Sequence, residues 1–285
     1  MKRHIFKSIF LVLIVCALIT SPIVAQGVKE QPQKTLRIVS LSPNVTETIF
    51  ALGGGELLVG RSDYCNFPLE AEKLPTVGTL YSPSLEMILS LEPTVVISSA
   101  FVPDELLFAI EQAKIEVVAI NAQETFEGTY DLIRQIATVI QKQPQAETMI
   151  QKMKTHVQEI EDKAAALPQV SVYMALDFGS FDSAATADTF LHEMIEKAGG
   201  VNVAGDGLYW TYSKELLVEK DPDLILLSPR WGETEEETIR EFTTTKPYSD
   251  LRATVKSFDA DVITRQGPRS AQALAMLFDL INLGR

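Results

Sequence analysis

The sequence predicts an α/β protein: two Rossmann-like lobes with parallel sheets, joined by a single long α-helix. Three observations predict it. A stretch in the first half returns in the second half, short aliphatic runs alternate with helical periodicities, and one long amphipathic stretch lies midway.

The repeat pairs SLEMILSLEPTVVIS (84–98) with SKELLVEKDPDLILL (213–227), 129 positions later. Ser84, Glu86, Glu92 and Pro93 fall on Ser213, Glu215, Asp221 and Pro222. Each copy opens Ser-x-Glu, runs apolar at helical spacing, meets an acid-Pro pair and ends in aliphatics. Two copies of one unit predict two similar lobes, and a cleft between lobes is a common ligand site.

The elements follow in order. LRIVSL (36–41) reads as a strand and NVTETIFALGG (44–54) as a helix. Asn44 is its expected N-cap with Glu47 three residues on, and the glycines at 53–55 end it. LLVGR (57–61) is a strand, 62–83 is irregular, 84–91 helix, 94–98 strand, 103–113 helix and 115–120 strand. Residues 125–142 are helical.

The stretch 144–167 places Ala146, Met149, Ile150, Met153, Val157, Ile160, Ala164 and Leu167 on one face. Pro144 suits its first turn and Pro168 stops it. At 1.5 Å per residue the rod spans about 36 Å. Beyond it, 170–176 is a strand, 177–187 an aromatic loop, 188–198 a helix, 213–220 a helix and 223–228 a strand. Residues 232–242 form an acidic helix, DVITR (261–265) the last strand and 268–284 the last helix. The expected division is a first lobe at 35–142, the bridging helix at 144–167 and a second lobe at 169–285.

The chain opens with a basic Lys2, Arg3 and Lys7 region followed by the apolar run Ile9 to Ile19. Residues 1–25 read as a secretory signal peptide. The apolar run is short for a membrane helix, which needs about 20 such residues. A lipid anchor on Cys16 is disfavoured by the bulky Val15 before it. Loss of this leader takes the net charge of −13 to −16, since the leader holds three cations and no acid. So acidic a chain excludes nucleic acid as a general partner. Cys65 is then left without a disulfide partner and reads as a buried thiol.

Catalytic and metal chemistry find little support. His156 and His192 stand alone on helices, so a protein-bound metal lacks ligands. Gly-x-Ser-x-Gly, the P-loop and a strand-following Gly-x-Gly-x-x-Gly are missing. No catalytic residue, metal ligand or resident cofactor is assigned.

Aromatics cluster in loops that follow strands or precede the repeat helices: Tyr64, Phe67, Tyr81, Phe101, Phe178, Phe181, Tyr209, Trp210, Tyr212 and Trp231. In open α/β sheets the ligand crevice lies at the carboxyl ends of the strands, and aromatic rings there give large apolar contact at low entropy cost. About half are expected in the core. Tyr81 and Trp210, each just before a repeat helix, are expected to face one another across the cleft. Arg230, Arg265 and Arg269 are the candidate polar contacts, Arg265 foremost. Glu86 and Glu215 sit in first helical turns, where the helix dipole favours a carboxylate by up to about 1 kcal/mol. Their matched placement also suits two arginine pockets of a two-fold partner.

RIVSLSPNVTETIFALG, GRSDYCNFP, SPSLEMILSLEPTVVIS, AGGVNVAG and YSKELLVEKDPDLILLS occur here in that order. Together they resemble the substrate-binding proteins of iron-siderophore, haem and cobalamin ABC importers. The resemblance covers nearly all of the chain beyond the leader. It implies two lobes on one long helix, docking of Glu86 and Glu215 on a dimeric ABC permease, and no enzymatic activity. SDYCNFP resembles most closely the cobalamin-binding branch and implies that Tyr64 meets a corrin ring, with Trp210 near a cleft tryptophan. Two further aromatic positions of that branch are Leu80 and Ser99 here, with Tyr81 and Phe101 beside them.

The function implied is a monomeric, periplasmic or extracytoplasmic receptor for a corrinoid, with Tyr64, Tyr81, Phe101, Phe178, Trp210, Trp231 and Arg265 at the ligand. Any cobalt or iron belongs to the transported ligand. A ferric-siderophore or haem receptor is the alternative within the class. An exported α/β enzyme or a sensory module is the alternative outside it.

Overall fold

In the computed structural model, residues 35–99 and 102–283 are described. The expected leader, with Cys16, and Phe101 lie outside them. Strand β1 (Ile38–Ser40) leads into helix α1 (Pro43–Ala51), then β2 (Leu58–Arg61), α2 (Leu85–Ser90), β3 (Val95–Ser98), α3 (Asp104–Gln112), β4 (Glu116–Ala119) and α4 (Phe126–Val139). The long helix α5 spans Gln143–Ala165. The second lobe holds β5 (Val170–Asp177), β6 (Ser183–Ala184), α6 (Phe190–Lys197), β7 (Gly200–Asn202), α7 (Lys214–Lys220), β8 (Leu224–Leu227), α8 (Glu235–Thr244), β9 (Thr254–Ser257), α9 (Ala260–Ile263) and α10 (Ser270–Asn282).

The first sheet has the order β2-β1-β3-β4 with every pairing parallel. The second runs β6-β5-β8-β9, parallel except for the short antiparallel β6, and β7 pairs in parallel with the start of β5. Strands β3 and β8 are buried along their whole length, as parallel strands covered on both faces must be.

One apolar cluster runs through both lobes. It takes Ile38 and Ile97 from the first sheet, Val172, Leu224 and Leu226 from the second, and Ile150, Met153, Val157 and Ile160 from α5 between them. The alternate positions face outward into separate clusters: Val39 and Val96 in one lobe, Ile225 and Leu227 in the other. The period of two along each strand thus divides every sheet between a shared interior and a private one.

The repeat is structural. Ser84 and Ser213 cap their helices, accepting the N–H of Met87 at 3.3 Å and of Leu216 at 3.2 Å. Glu92 (φ 47°) and Asp221 (φ 40°) then take left-handed backbone just before Pro93 and Pro222. A side chain there is unusual, so the matched pair marks a common design. Gly53 (φ 73°) and Gly199 (φ 88°) end their helices alike.

Several expectations need correction. Residues 261–265 are not the last strand. Asp259 accepts the Asp261 N–H at 2.9 Å and starts α9 there, and Ile263 turns inward. The true edge strand, β9, is mostly half-exposed, so its hydrophobic signal is weak. Ser42, with Pro43 after it, stands at the N-cap position of α1. Asn44 instead donates to Gln266 O at 3.0 Å and accepts from the Ser99 hydroxyl at 2.6 Å. Helix α8 begins later than expected because Thr234 and Glu237 form a capping box. Leu167 lies past the end of α5 and is exposed.

Candidate ligand-binding cleft

Segments that follow the carboxyl ends of strands in the two sheets meet. The segment after β9 meets the segments after β1, β2 and β4. Gln266 donates to Gln123 O at 2.5 Å and to Thr125 O at 2.9 Å. Asn66 donates to Asp261 at 2.8 Å and accepts from Arg265 at 2.7 Å. The Arg269 guanidinium lies over the Phe67 ring, 4.1 Å from its centre, at cation–π distance.

At the centre of this junction is Glu47, only 3% exposed. Its carboxylate accepts from Arg265 at 3.0 Å and from Arg269 at 2.6 and 2.7 Å. Sequence reasoning missed this role. The signal was available: a carboxylate inside an apolar helix requires a cation.

Arg265, expected at the ligand, is engaged within the protein. Besides Glu47 and Asn66 it donates to Asp261 at 2.6 Å and to Tyr64 O at 3.4 Å. Its guanidinium is occupied in joining the lobes. Arg230 is likewise held, by Asp177 at 3.2 Å, Glu241 at 2.7 Å and the Phe178 carbonyl. Arg61 donates to Ala71 O at 2.8 Å and Ser62 O at 3.0 Å.

The aromatics divide. Phe178 is 3% exposed and packs edge-on against Phe242 and Tyr248, with Arg230 3.9 Å above its ring. It closes the core of the second lobe and also lines a cavity at the carboxyl ends of β5 and β8. Tyr212 is also buried. Tyr64 and Tyr81 are exposed and meet edge to face at 6.3 Å within the first lobe. In the second lobe Trp231 is 97% exposed and Trp210 40%. Trp231, Phe181, Phe178 and Arg230 line that cavity of about 460 Å³ at the carboxyl ends of β5 and β8, together with Leu176, Asp177 and Pro229. A hollow between Gln169, Asp223 and Lys256 lies at the opposite, amino end of the second sheet. It is therefore not part of this cleft.

At the carboxyl ends of β1 and β3 the side chains are polar and bonded to one another. Ser42 and Ser98 share a hydrogen bond at 3.2 Å, and Thr46 donates to Ser40 at 2.8 Å. Among the described residues, no group of three His, Cys, Asp or Glu side chains is placed to hold a metal ion.

Glu86 and Glu215 are both exposed in the first turns of α2 and α7. The Ser213 hydroxyl donates to Glu215 at 2.7 Å, which with the residue's own N–H holds the carboxyl below its ordinary range. Next to them stand Met87 and Leu216, both exposed and again 129 positions apart. Each lobe therefore offers the same pair, a carboxylate beside an apolar side chain, a match the repeat carried but sequence reasoning did not use.

A family model described as periplasmic binding protein matches residues 38–257. An uncharacterized ABC transporter substrate-binding lipoprotein of Bacillus subtilis is 27% identical, over 89% of this chain and 81% of its own length. The vitamin B12-binding protein of Photorhabdus laumondii is 27% identical, over 87% of this chain and 88% of its own. Among solved structures, the periplasmic haem-binding protein from Roseiflexus sp. RS-1 in its apo form superposes with a TM-score of 0.76. It is 27% identical, and the match covers 87% of this chain and 98% of that one.

Proposed function

Because the chain belongs to the periplasmic binding protein family, we propose that it is the extracytoplasmic receptor of an ABC importer and that its ligand is a corrinoid. The ligand lies between lobes 35–142 and 169–285, on either side of the bridge 144–167. The protein acts as a monomer, exported by its leader, and performs no chemistry on the ligand. Glu86 and Glu215 dock the two lobes on the permease dimer.

One observation carries the choice of ligand. Tyr64, Tyr81, Trp210 and Trp231 carry exposed aromatic rings, while Arg61, Arg230, Arg265 and Arg269 are already engaged within the protein. A ferric siderophore with anionic donors would need free cations. A large macrocycle rimmed by uncharged amides needs flat contact and hydrogen bonds rather than free cations. The B12-binding relative supports the same reading. Haem is the second reading, favoured by the likeness to the Roseiflexus protein.

Titration of the purified protein with cyanocobalamin, haemin and a ferric siderophore tests this. Cyanocobalamin should quench tryptophan fluorescence saturably and most tightly. Tighter quenching by haemin would move the assignment to haem, and silence with all three would sink the receptor reading.

A further inference from the structure

Residues 208–211 form a tight hairpin turn. The Thr211 N–H donates to Leu208 O at 3.1 Å, and the two residues form an antiparallel bridge. Its central residues, Tyr209 (φ 56°) and Trp210 (φ 61°), both lie in the left-handed region. A two-residue turn with both φ positive favours Asn-Gly, because a Cβ crowds the backbone there. Two adjacent aromatics are among the least suitable occupants.

Packing does not explain the Tyr209 ring, which is 80% exposed, and Trp210 still shows 40% of its surface. The backbone, by contrast, is held at each step. The Asp188 carboxylate accepts the Tyr209 N–H at 2.9 and 3.1 Å. Thr186, fully buried, accepts the Trp210 N–H at 3.0 Å and donates to Asp188 at 2.7 Å. The Trp210 carbonyl accepts the Ala184 N–H at 2.9 Å, and the Gly207 carbonyl accepts that of Ala187 at 3.1 Å. The Thr186 hydroxyl and the Tyr209 N–H hold the Asp188 carboxyl below its ordinary range, so the clamp is anionic at neutral pH. Ala184 belongs to β6, which pairs with the last residues of β5. The turn therefore stands at the carboxyl end of the second sheet, the end that carries Trp231.

Strain that the fold maintains without a packing benefit points to a functional surface. We propose that this turn grips the ligand, with Tyr209 joining Trp210 in the contact, and that Asp188 is a positioning residue that fixes both rings through the backbone. The contact role rests on the receptor reading above. The positioning role does not.

Two experiments separate them. The chain has two tryptophans, so Trp231→Phe leaves Trp210 as the single reporter. In that background Asp188→Ala should lower the fluorescence anisotropy of Trp210 and red-shift its emission, while Asp188→Asn, which keeps an acceptor oxygen, shifts both less. Unchanged spectra would overturn the positioning role. In the natural background, the double change Tyr209→Asn and Trp210→Gly relieves the strain. It should hold or raise Tm while weakening cyanocobalamin or haemin about tenfold or more. Tyr209→Ala alone should weaken it several-fold. Asp188→Ala should weaken binding about tenfold in the natural turn and add nothing in the relieved one. Equal losses in both backgrounds, or an unaffected Tyr209→Ala, would overturn the gripping role. If the unaltered protein binds none of the probes, the receptor reading and the contact role fall together, and the spectra still decide the positioning role.

Discussion

Arg269 holds Glu47 with two hydrogen bonds, Nε to Oε2 at 2.7 Å and Nη2 to Oε1 at 2.6 Å, across 222 positions of sequence. The bond joins the first helix of one lobe to the last helix of the other. Arg265 adds a third donor to the same carboxylate at 3.0 Å. A buried ion pair of this kind adds little over a well-packed apolar contact. Breaking one side is costly, because the remaining charge is left without a partner.

Glu47→Ala should therefore cost about 3–5 kcal/mol. Glu47→Gln keeps an acceptor and should cost less. Urea unfolding checks both through the midpoint at constant slope. A midpoint unmoved by the alanine change would show that the two arginines find other partners.

Phe178 and Trp231 should separate stability from binding. Phe178→Ala empties a packed site against Phe242 and Tyr248 and should cost about 3–5 kcal/mol. Trp231→Ala removes an exposed ring and should stay within about 0.5 kcal/mol of the original stability. Its effect should fall on the ligand instead, about tenfold in Kd or about 1.4 kcal/mol. Calorimetric Tm and fluorescence titration on the same preparations check the pair. The reverse pattern would place Phe178 at the ligand.

If Glu86 and Glu215 dock the permease as proposed, reversal of both, Glu86→Arg with Glu215→Arg, should cut uptake in cells at least tenfold and leave Kd for the ligand unchanged. Each single reversal should have a partial effect. Met87→Asp or Leu216→Asp, beside those carboxylates, should also reduce uptake without changing Kd. Loss of ligand affinity in any of these would assign the altered residue to the site.

Acid should weaken the fold. The Asp221 carboxyl lies below its ordinary range because the Arg252 N–H and guanidinium donate to it, and Asp188 is lowered by Thr186 and Tyr209. A carboxyl depressed in the folded state stabilises above its unfolded pKa, near 3.9, and loses that contribution as pH falls through the lower folded value. Glu124, raised chiefly by burial, works in the opposite direction. The urea midpoint should be level above about pH 5 and fall below about pH 4. Asp221→Asn should flatten that limb, and an unaltered limb would mean that the Arg252 contacts do not persist in solution.

Much of this was legible because it is periodic. The stripe on α5 and the paired helices and aliphatic runs of the repeat announce themselves through spacing of 3.6 or 2. Fixed long-range partners leave no such mark. Arg265 and Arg269 read as free cations until Glu47, more than 200 positions away, is placed beside them. Phe178 and Trp231 are both aromatics after a strand, and only packing separates the core residue from the exposed one. Val262 and Ile263 favour a strand by type, yet Asp259 turns them into a helix.

The unbroken apolar interior through α5 has a kinetic consequence. Two lobes built on one core, and pinned again at Glu47, should resist independent motion, because a large apolar junction disfavours relative movement of the parts it joins. The cleft walls then stand in place before the ligand arrives. Capture needs no closing step, so the observed rate should rise linearly with ligand concentration without reaching a plateau, and differences among ligands should appear in how long each one stays.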